Sequence, residues 1–302
     1  MNTDSPAAYL ADPRSWLQGG ASIDWNGHRL FIRSEGQGAP LLLLHGFPTS
    51  SWDWKELWSE LVAQYQVITF DYLGFGFSSK PSEGPYSVFA YADQAEAVLA
   101  HFGVKRTHLL AHDLGDTVAQ ELLARDLERR AGQRPMAIEP LSACLLNGGI
   151  LPETHHPRVV QKLLDSPLGF LVAKLINRRM FEKSLAAVFG PSTQPSAHDL
   201  AGFWFCVSEG DGMRNTHRLI RYMRERRLYR ERWVQPLIDG PVPFAMINGL
   251  LDPVSGVHVV ERLRQLRPAA EIYELGDIGH YPQTEAPARV LQAYRQFADK
   301  VA

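Results

Sequence analysis

The chain has 302 residues, of which 45% are apolar and 21% charged, a balance that excludes a disordered or collagen-like polymer and fits one large or two smaller packed domains. With 31 Lys and Arg against 33 Asp and Glu, the formal net charge of −2 excludes wholesale electrostatic binding to nucleic acid, which calls for a basic excess. Cys144 and Cys206 are too few for a disulfide framework and belong to no zinc-spaced Cys/His set, so neither a structural metal nor an oxidising compartment is expected.

The opening segment, MNTDSPAAYLADPRSW, carries no basic leader followed by an apolar run, and no stretch reaches the ~18 consecutive apolar residues of a membrane span. The expectation is a cytoplasmic protein with no membrane-spanning segment. Short apolar runs then alternate with helical patterns, the signature of parallel strands joined by crossover helices. Strands are expected at His28–Arg33, Pro40–Leu44, Val67–Phe70, His108–Ala111 and Leu141–Leu146, with helices at Trp52–Tyr65, Val88–Phe102 and Thr117–Arg130. From about residue 151 to 240 no strand pattern appears. Helices are expected there at Val159–Leu175, Asp199–Val207 and Arg214–Arg227, and a structureless loop of that length is improbable. After Pro241 the alternation resumes with a strand at Val242–Asn248, a helix at Val257–Leu266, a strand at Glu271–Glu274 and a last helix at Ala288–Val301. The expected organisation is an α/β core formed by residues 1–150 and 241–302, interrupted by a helical cap over 151–240.

The strand His108–Ala111 runs through His112-Asp113-Leu114-Gly115 directly into a helix. Small residues at Ala111 and Gly115 flank Asp113 where a sharp strand-to-helix turn tolerates no bulk, so Asp113 occupies the position of a nucleophile elbow. An N-capping aspartate in an ordinary βα turn is the bland alternative. His45-Gly46-Phe47-Pro48 follows another strand, and its Phe47 amide would join that of Leu114 as an oxyanion hole. In Asp71-Tyr72-Leu73-Gly74-Phe75-Gly76 the third glycine of a dinucleotide fingerprint is missing and no Gly-Lys-Ser/Thr follows, so a tight turn is expected and no cofactor. Asp252, in Leu250-Leu251-Asp252-Pro253, and His280, in Ile278-Gly279-His280-Tyr281-Pro282, emerge at the carboxyl ends of later strands, the edge where Asp113 emerges. Nucleophile, acid and histidine therefore occur in the order of a catalytic triad, with Asp277 as the weaker candidate acid.

HGFP, DYLGFGFSSKP, AHDLGD, LLDP and IGHYP together resemble the α/β-hydrolase superfamily, and within it the branch of epoxide hydrolases and haloalkane dehalogenases. LLAHDLGDTVAQELLAR, NGGILPETHHP, VFGPSTQPS and RERWV are similar to the mesoderm-specific transcript family and its bacterial relatives, and the chain also looks like the β-lactone decarboxylases of long-chain olefin synthesis. The resemblance implies a mostly parallel eight-stranded sheet flanked by helices, with an inserted helical cap. It also implies an Asp113–His280–Asp252 triad that attacks an sp³ carbon, forms an alkyl ester and needs no cofactor or metal.

What differs among the relatives is the treatment of the leaving group. Dehalogenases carry a Trp after the nucleophile and an Asn or Trp partner, where this chain has Leu114 and Phe47, leaving Trp204 or Trp233 as substitutes. Epoxide hydrolases use two cap tyrosines as acids, and Tyr222 and Tyr229 are available. A β-lactone releases a carboxylate, already stable as an anion, which some of the eight arginines between Met213 and Arg232 could hold. β-Lactone decarboxylation ranks first, epoxide hydrolysis second and dehalogenation third. The apolar Leu163, Leu164, Leu168, Phe170, Leu171 and Phe205 suit either a long alkyl chain or the cap's own core. The partners implied are a small apolar substrate and other enzymes of an olefin pathway. The non-enzymatic reading is a binding protein for a lipid-like ligand or a partner.

Overall fold

Leu41–Leu44 and the run Phe244–Gly249 are wholly buried rather than alternately exposed, as befits central parallel strands covered on both faces. The computed structural model describes residues 10–135 and 137–301; residues 1–9, on which the reading of the leader partly rests, lie outside them. Eight strands form one sheet: β1 (Ala21–Trp25), β2 (His28–Glu35), β3 (Ala39–Leu44), β4 (Tyr65–Phe70), β5 (Arg106–His112), β6 (Glu139–Leu146), β7 (Phe244–Gly249) and β8 (Glu271–Leu275). Their order is β1-β2-β4-β3-β5-β6-β7-β8, and only the β1/β2 and β2/β4 pairings are antiparallel.

Strand β1 is absent from the sequence-based expectation. Its residues are mostly exposed and lack an apolar run, but Asn26-Gly27, at φ of 53° and 79°, joins it to β2 in the left-handed turn geometry of a two-residue hairpin.

Helices α1 (Pro13–Gln18), α2 (Lys55–Val62), α3 (Val88–His101) and α4 (Leu114–Arg130) belong to the first half of the chain. Helix α4 starts three residues earlier than expected, directly after Asp113, and it buries every residue from Leu114 to Arg125. Between β6 and β7 lie α5 (Val159–Leu164), α6 (Gly169–Leu175), α7 (Arg178–Ala186), α8 (Ala197–Ser208), α9 (Thr216–Leu219), α10 (Tyr222–Leu228) and α11 (Arg230–Asp239). The single helix expected at Val159–Leu175 is broken at Ser166-Pro167, because proline disfavours helical geometry in the residue before it and lacks an N–H. Helix α7, unforeseen, begins where the Asn177 side chain accepts the Met180 N–H at 3.1 Å. Helices α12 (Val257–Leu266), α13 (Pro282–Glu285) and α14 (Pro287–Val301) complete the chain.

Two apolar clusters pack around the sheet. One joins Leu42, Leu44, Leu109 and Ala111 to α3, α4 and α11; the other joins Leu41, Leu43, Leu110 and Ile247 to α2, α14 and the N-terminal Trp16. Of the apolar residues expected in a substrate channel or the core of the inserted helices, Leu164 is buried and Phe205 half-buried, whereas Leu163, Leu168, Phe170 and Leu171 face solvent. Periodicity shows that a face is apolar but not what covers it.

Candidate active site

The β5–α4 junction holds Asp113 at φ 48°, ψ −103°, a conformation that costs energy for a residue with a side chain and marks functional turns. A Cβ at Gly115 would come within 2.1 Å of the Leu44 carbonyl oxygen, and one at Gly46 within 2.7 Å of His112 Nδ1, so both positions must be glycine for the turn to close. The Asp113 carboxylate is buried. Its Oδ2 accepts the Phe47 N–H at 3.1 Å and the Tyr222 hydroxyl at 3.4 Å; its Oδ1 lies 3.3 Å from Nη2 of Arg226. Burial opposes ionisation of Asp113, but Arg226, His280, His112 and the Phe47 amide overcome it and hold the carboxyl below its ordinary pKa. Leu114 is the first residue of α4, so its N–H has no acceptor within the helix.

His280 follows β8, and its Nδ1 lies 2.7 Å from Oδ2 of Asp252, leaving Nε2 as the ring nitrogen for chemistry. Asp252 is held from three more directions: Asn147 Nδ2 at 3.0 Å, Ser255 Oγ at 2.8 Å and the Val254 N–H at 2.7 Å. Burial alone would lower the His280 pKa, but the Asp252 charge and hydrogen bond, with Asp113, raise it to about 9. Burial alone would raise that of Asp252, but His280, Val254 and Asn147 bring it to about 2. The Asp252 and Asp113 charges thus both favour the protonated form of the His280 ring. Asp277 is exposed and paired with Arg289 at 2.6 Å. Asp277→Asn is accordingly expected to leave turnover within about two-fold of the parent in a steady-state assay, because an exposed pair contributes little.

A description of the alpha/beta hydrolase fold matches residues 39–171. The human mesoderm-specific transcript homolog protein is 40% identical, over 96% of this chain and 91% of its own length. The chain belongs to the α/β-hydrolase superfamily. The cis-3-alkyl-4-alkyloxetan-2-one decarboxylase of Shewanella oneidensis is 28% identical to this α/β-hydrolase, over 90% of the chain and 86% of its own length. The crystal structure of the haloalkane dehalogenase DatA from Agrobacterium tumefaciens superimposes with a TM-score of 0.77 at 18% identity, covering 94% of this chain and 97% of that one, a likeness of fold.

Of the four side chains expected to contact substrate, the structure brings Tyr222 alone to Asp113. The Trp233 indole N–H donates to buried Glu121 at 2.8 Å, and Tyr229 packs on Phe89 and Trp233. Trp204 packs at a tilt against Phe181 and borders a separate surface depression with Lys174 and Arg214. These three aromatics are occupied in packing and do not reach the α/β-hydrolase elbow.

The sequence reading overlooked Arg226 as an individual. Most of its neighbours in the arginine-rich stretch pair on the surface or at its margin, Arg224 with Asp165, Arg230 with Glu153 and Arg232 with Glu121 and Glu128. Arg226 is 2% exposed. Its Nε donates to Thr117 Oγ1 at 2.7 Å and its Nη2 to the Asp113 carbonyl at 2.8 Å. No local pattern distinguishes it, since its partners lie more than a hundred residues away. Asn147 did have a signal: it directly follows β6, at φ 46°, in an Asn-Gly-Gly run that is costly unless a turn uses it.

A cavity of about 110 Å³ adjoins His280 and Phe47. Leu164, Ile176, Phe181, Leu185 and Val188 give it an aliphatic and aromatic wall. The Gly74-x-Gly76 segment is a turn closed on Asp71, whose carboxylate accepts the Ser51 and Phe77 amides at 2.7 and 2.6 Å.

Proposed function

We propose that this α/β-hydrolase uses Asp113 as a nucleophile on an sp³ carbon, and that its reaction is the decarboxylation of a β-lactone carrying alkyl chains. The observation that carries this reading is Arg226, a buried guanidinium on the nucleophile itself. Together with protonated His280 it makes the surroundings of Asp113 cationic, which suits a reaction that releases a carboxylate.

In the first step an Asp113 oxygen attacks the ring carbon bound to the lactone oxygen. That carbon–oxygen bond breaks, and its electron pair leaves as a carboxylate held by Arg226 and His280. In the second step the bond from the adjacent carbon to the carboxylate breaks, its electrons form the carbon–carbon double bond, and the ester bond to Asp113 returns its pair to the aspartate. Carbon dioxide and an olefin leave, and no water is consumed. The apolar cavity supports a substrate with alkyl chains, over which residues 151–240 act as a cap on a core built from 1–150 and 241–302. The Shewanella relative supports the same class.

Epoxide hydrolysis is favoured by one observation, the Tyr222 hydroxyl 3.4 Å from Asp113 Oδ2, where it could protonate an alkoxide. Burial, and the adjacent Asp113 charge, push its pKa well above the ordinary value. Parallel incubation with a cis-dialkyl β-lactone, the matching epoxide and a haloalkane, with product identification, tests the proposal: olefin from the lactone is expected, and a diol from the epoxide as the faster reaction would overturn it. Tyr222→Phe discriminates further. It is expected to leave lactone turnover within about three-fold while any epoxide turnover drops by about 10²-fold, the usual loss for a missing general acid.

A further inference from the structure

Seven of the eleven large apolar side chains most exposed among the described residues fall between positions 159 and 180. Helix α5 turns Leu164 inward and exposes Val159 and Leu163, one turn apart; α6 turns Gly169 and Ala173 inward and exposes Phe170, Leu171 and Leu175. Both helices therefore carry apolar side chains on their outer as well as their inner side, and an exposed apolar patch beside charged groups marks a surface that is covered in use. Leu175 is 70% exposed and Val159 73%, too open for the rim of a packed core.

The charges beside this face decide what covers it. Residues 158–183 carry six basic side chains against two acidic ones, in a chain whose overall charge is −2. Both acids are already paired, Asp165 with Arg224 and Glu182 with Arg178. Among the described residues, the exposed Lys162, Lys174, Arg179 and Lys183 have no carboxylate within ion-pair distance. Apolar side chains flanked by unpaired lysine and arginine are the recognition chemistry of an anionic lipid surface, where the apolar groups enter the acyl region and the cations meet phosphates.

The cavity gives the location a purpose. Its walls include Val160, Leu164 and Ile176, the inward-facing neighbours in sequence of Val159, Leu163 and Leu175. One side of α5 and α6 thus lines the space beside His280 while the other faces outward. We propose that the outer face of α5 and α6, with the start of α7, docks this protein on an anionic lipid surface from which an apolar substrate passes to the cavity. The docking does not depend on which leaving group Asp113 displaces.

The test is flotation of the full chain with vesicles of phosphatidylcholine alone or of equal parts phosphatidylcholine and phosphatidylglycerol. The protein is expected to float with the anionic vesicles and to be released by high salt, and to remain below with the zwitterionic ones. Leu163→Ser, Leu171→Ser and Leu175→Ser combined should weaken binding by at least about a hundred-fold, each buried leucine accounting for roughly ten-fold. Lys162→Glu, Lys174→Glu and Lys183→Glu combined should abolish the preference for phosphatidylglycerol. All six positions are exposed and lie outside the cavity wall, so circular dichroism and thermal melting should match the parent. A parent protein that floats with neither vesicle would overturn the proposal and leave the face to a protein partner. So would parental binding by both folded variants.

Discussion

Asp113→Asn is expected to lower turnover of the true substrate by about 10⁴-fold or more, the scale on which removal of a covalent nucleophile acts. An amide keeps the size and shape of the carboxylate, and asparagine tolerates the positive φ of 48° better than most residues, so the elbow should still close. The amide oxygen still accepts the Phe47 N–H, but the charge that pairs with Arg226 is lost together with the nucleophile. Asp113→Ala serves as a second variant in which deamidation cannot restore activity. Retention of more than a few per cent of activity by either folded variant removes Asp113 from the mechanism.

Isotope labelling of the same residue then separates the reactions. Hydrolysis of an alkyl ester by attack of water on the Asp113 carboxyl carbon places ¹⁸O from the solvent in the aspartate, whereas the decarboxylation breaks the alkyl carbon–oxygen bond and takes no oxygen from water. Asp113 is expected to stay unlabelled over many turnovers in ¹⁸O-water, as read by mass spectrometry of its peptide. Label accumulating there, with an alcohol as product, identifies a hydrolase.

The parts of this site that sequence could reveal are those built by local rules. A strand running into His112-Asp113-Leu114-Gly115 needs a glycine because the Leu44 carbonyl passes within 2.1 Å of where a Cβ would lie, and that steric demand is written in adjacent residues. Asp252 and His280 are legible for a similar reason: each follows a strand of the parallel part of the sheet, and parallel strands deliver their ends to one edge. Arg226 obeys no local rule. Its helix carries arginines on several faces, and only the packing of α10 against the elbow selects one of them for burial. The outward leucines of α5 and α6 failed for the converse reason, since their pattern is that of a core helix and solvent exposure is a property of the assembled chain. Strand β1 was hidden because an edge strand needs no apolar run; the Asn26-Gly27 turn was its one local signal.

Asp252→Asn is the second change expected to act on a large scale, and its effect depends on the reaction. The asparagine cannot stabilise an imidazolium and can turn its amide N–H₂ toward His280 Nδ1, which would favour the tautomer with the proton on Nε2 and leave no base there. If water must be activated by His280, the loss is about 10⁴-fold, as when the acid of a triad is neutralised. If the reaction is decarboxylation, His280 contributes charge and position rather than proton abstraction, and the expected loss is smaller, about 10²-fold.

The same substitution has a pH signature. The His280 pKa is raised from 6.5 to about 9 by folding, so the stability it contributes is complete below pH 6.5 and is lost as the pH rises through 9; the Asp252 pKa is depressed from 3.8 to about 2, so its contribution is complete above pH 3.8 and is lost as the pH falls through 2. The parent should therefore melt at progressively lower temperature between pH 6.5 and 9, and Asp252→Asn should flatten that slope. Turnover should follow opposite courses in the two mechanisms. A lyase that relies on protonated His280 to hold a carboxylate slows as pH rises through 9, whereas a hydrolase that needs neutral His280 accelerates toward the same pH. Once Asp113 is esterified, one of the three carboxylates that raise the His280 pKa (Asp252, Asp113 and Glu285) is neutralised, so a hydrolase would reach its plateau below pH 9. A rate of ester breakdown that rises with pH and levels off there, and that collapses in Asp252→Asn, would make His280 the base and reject decarboxylation.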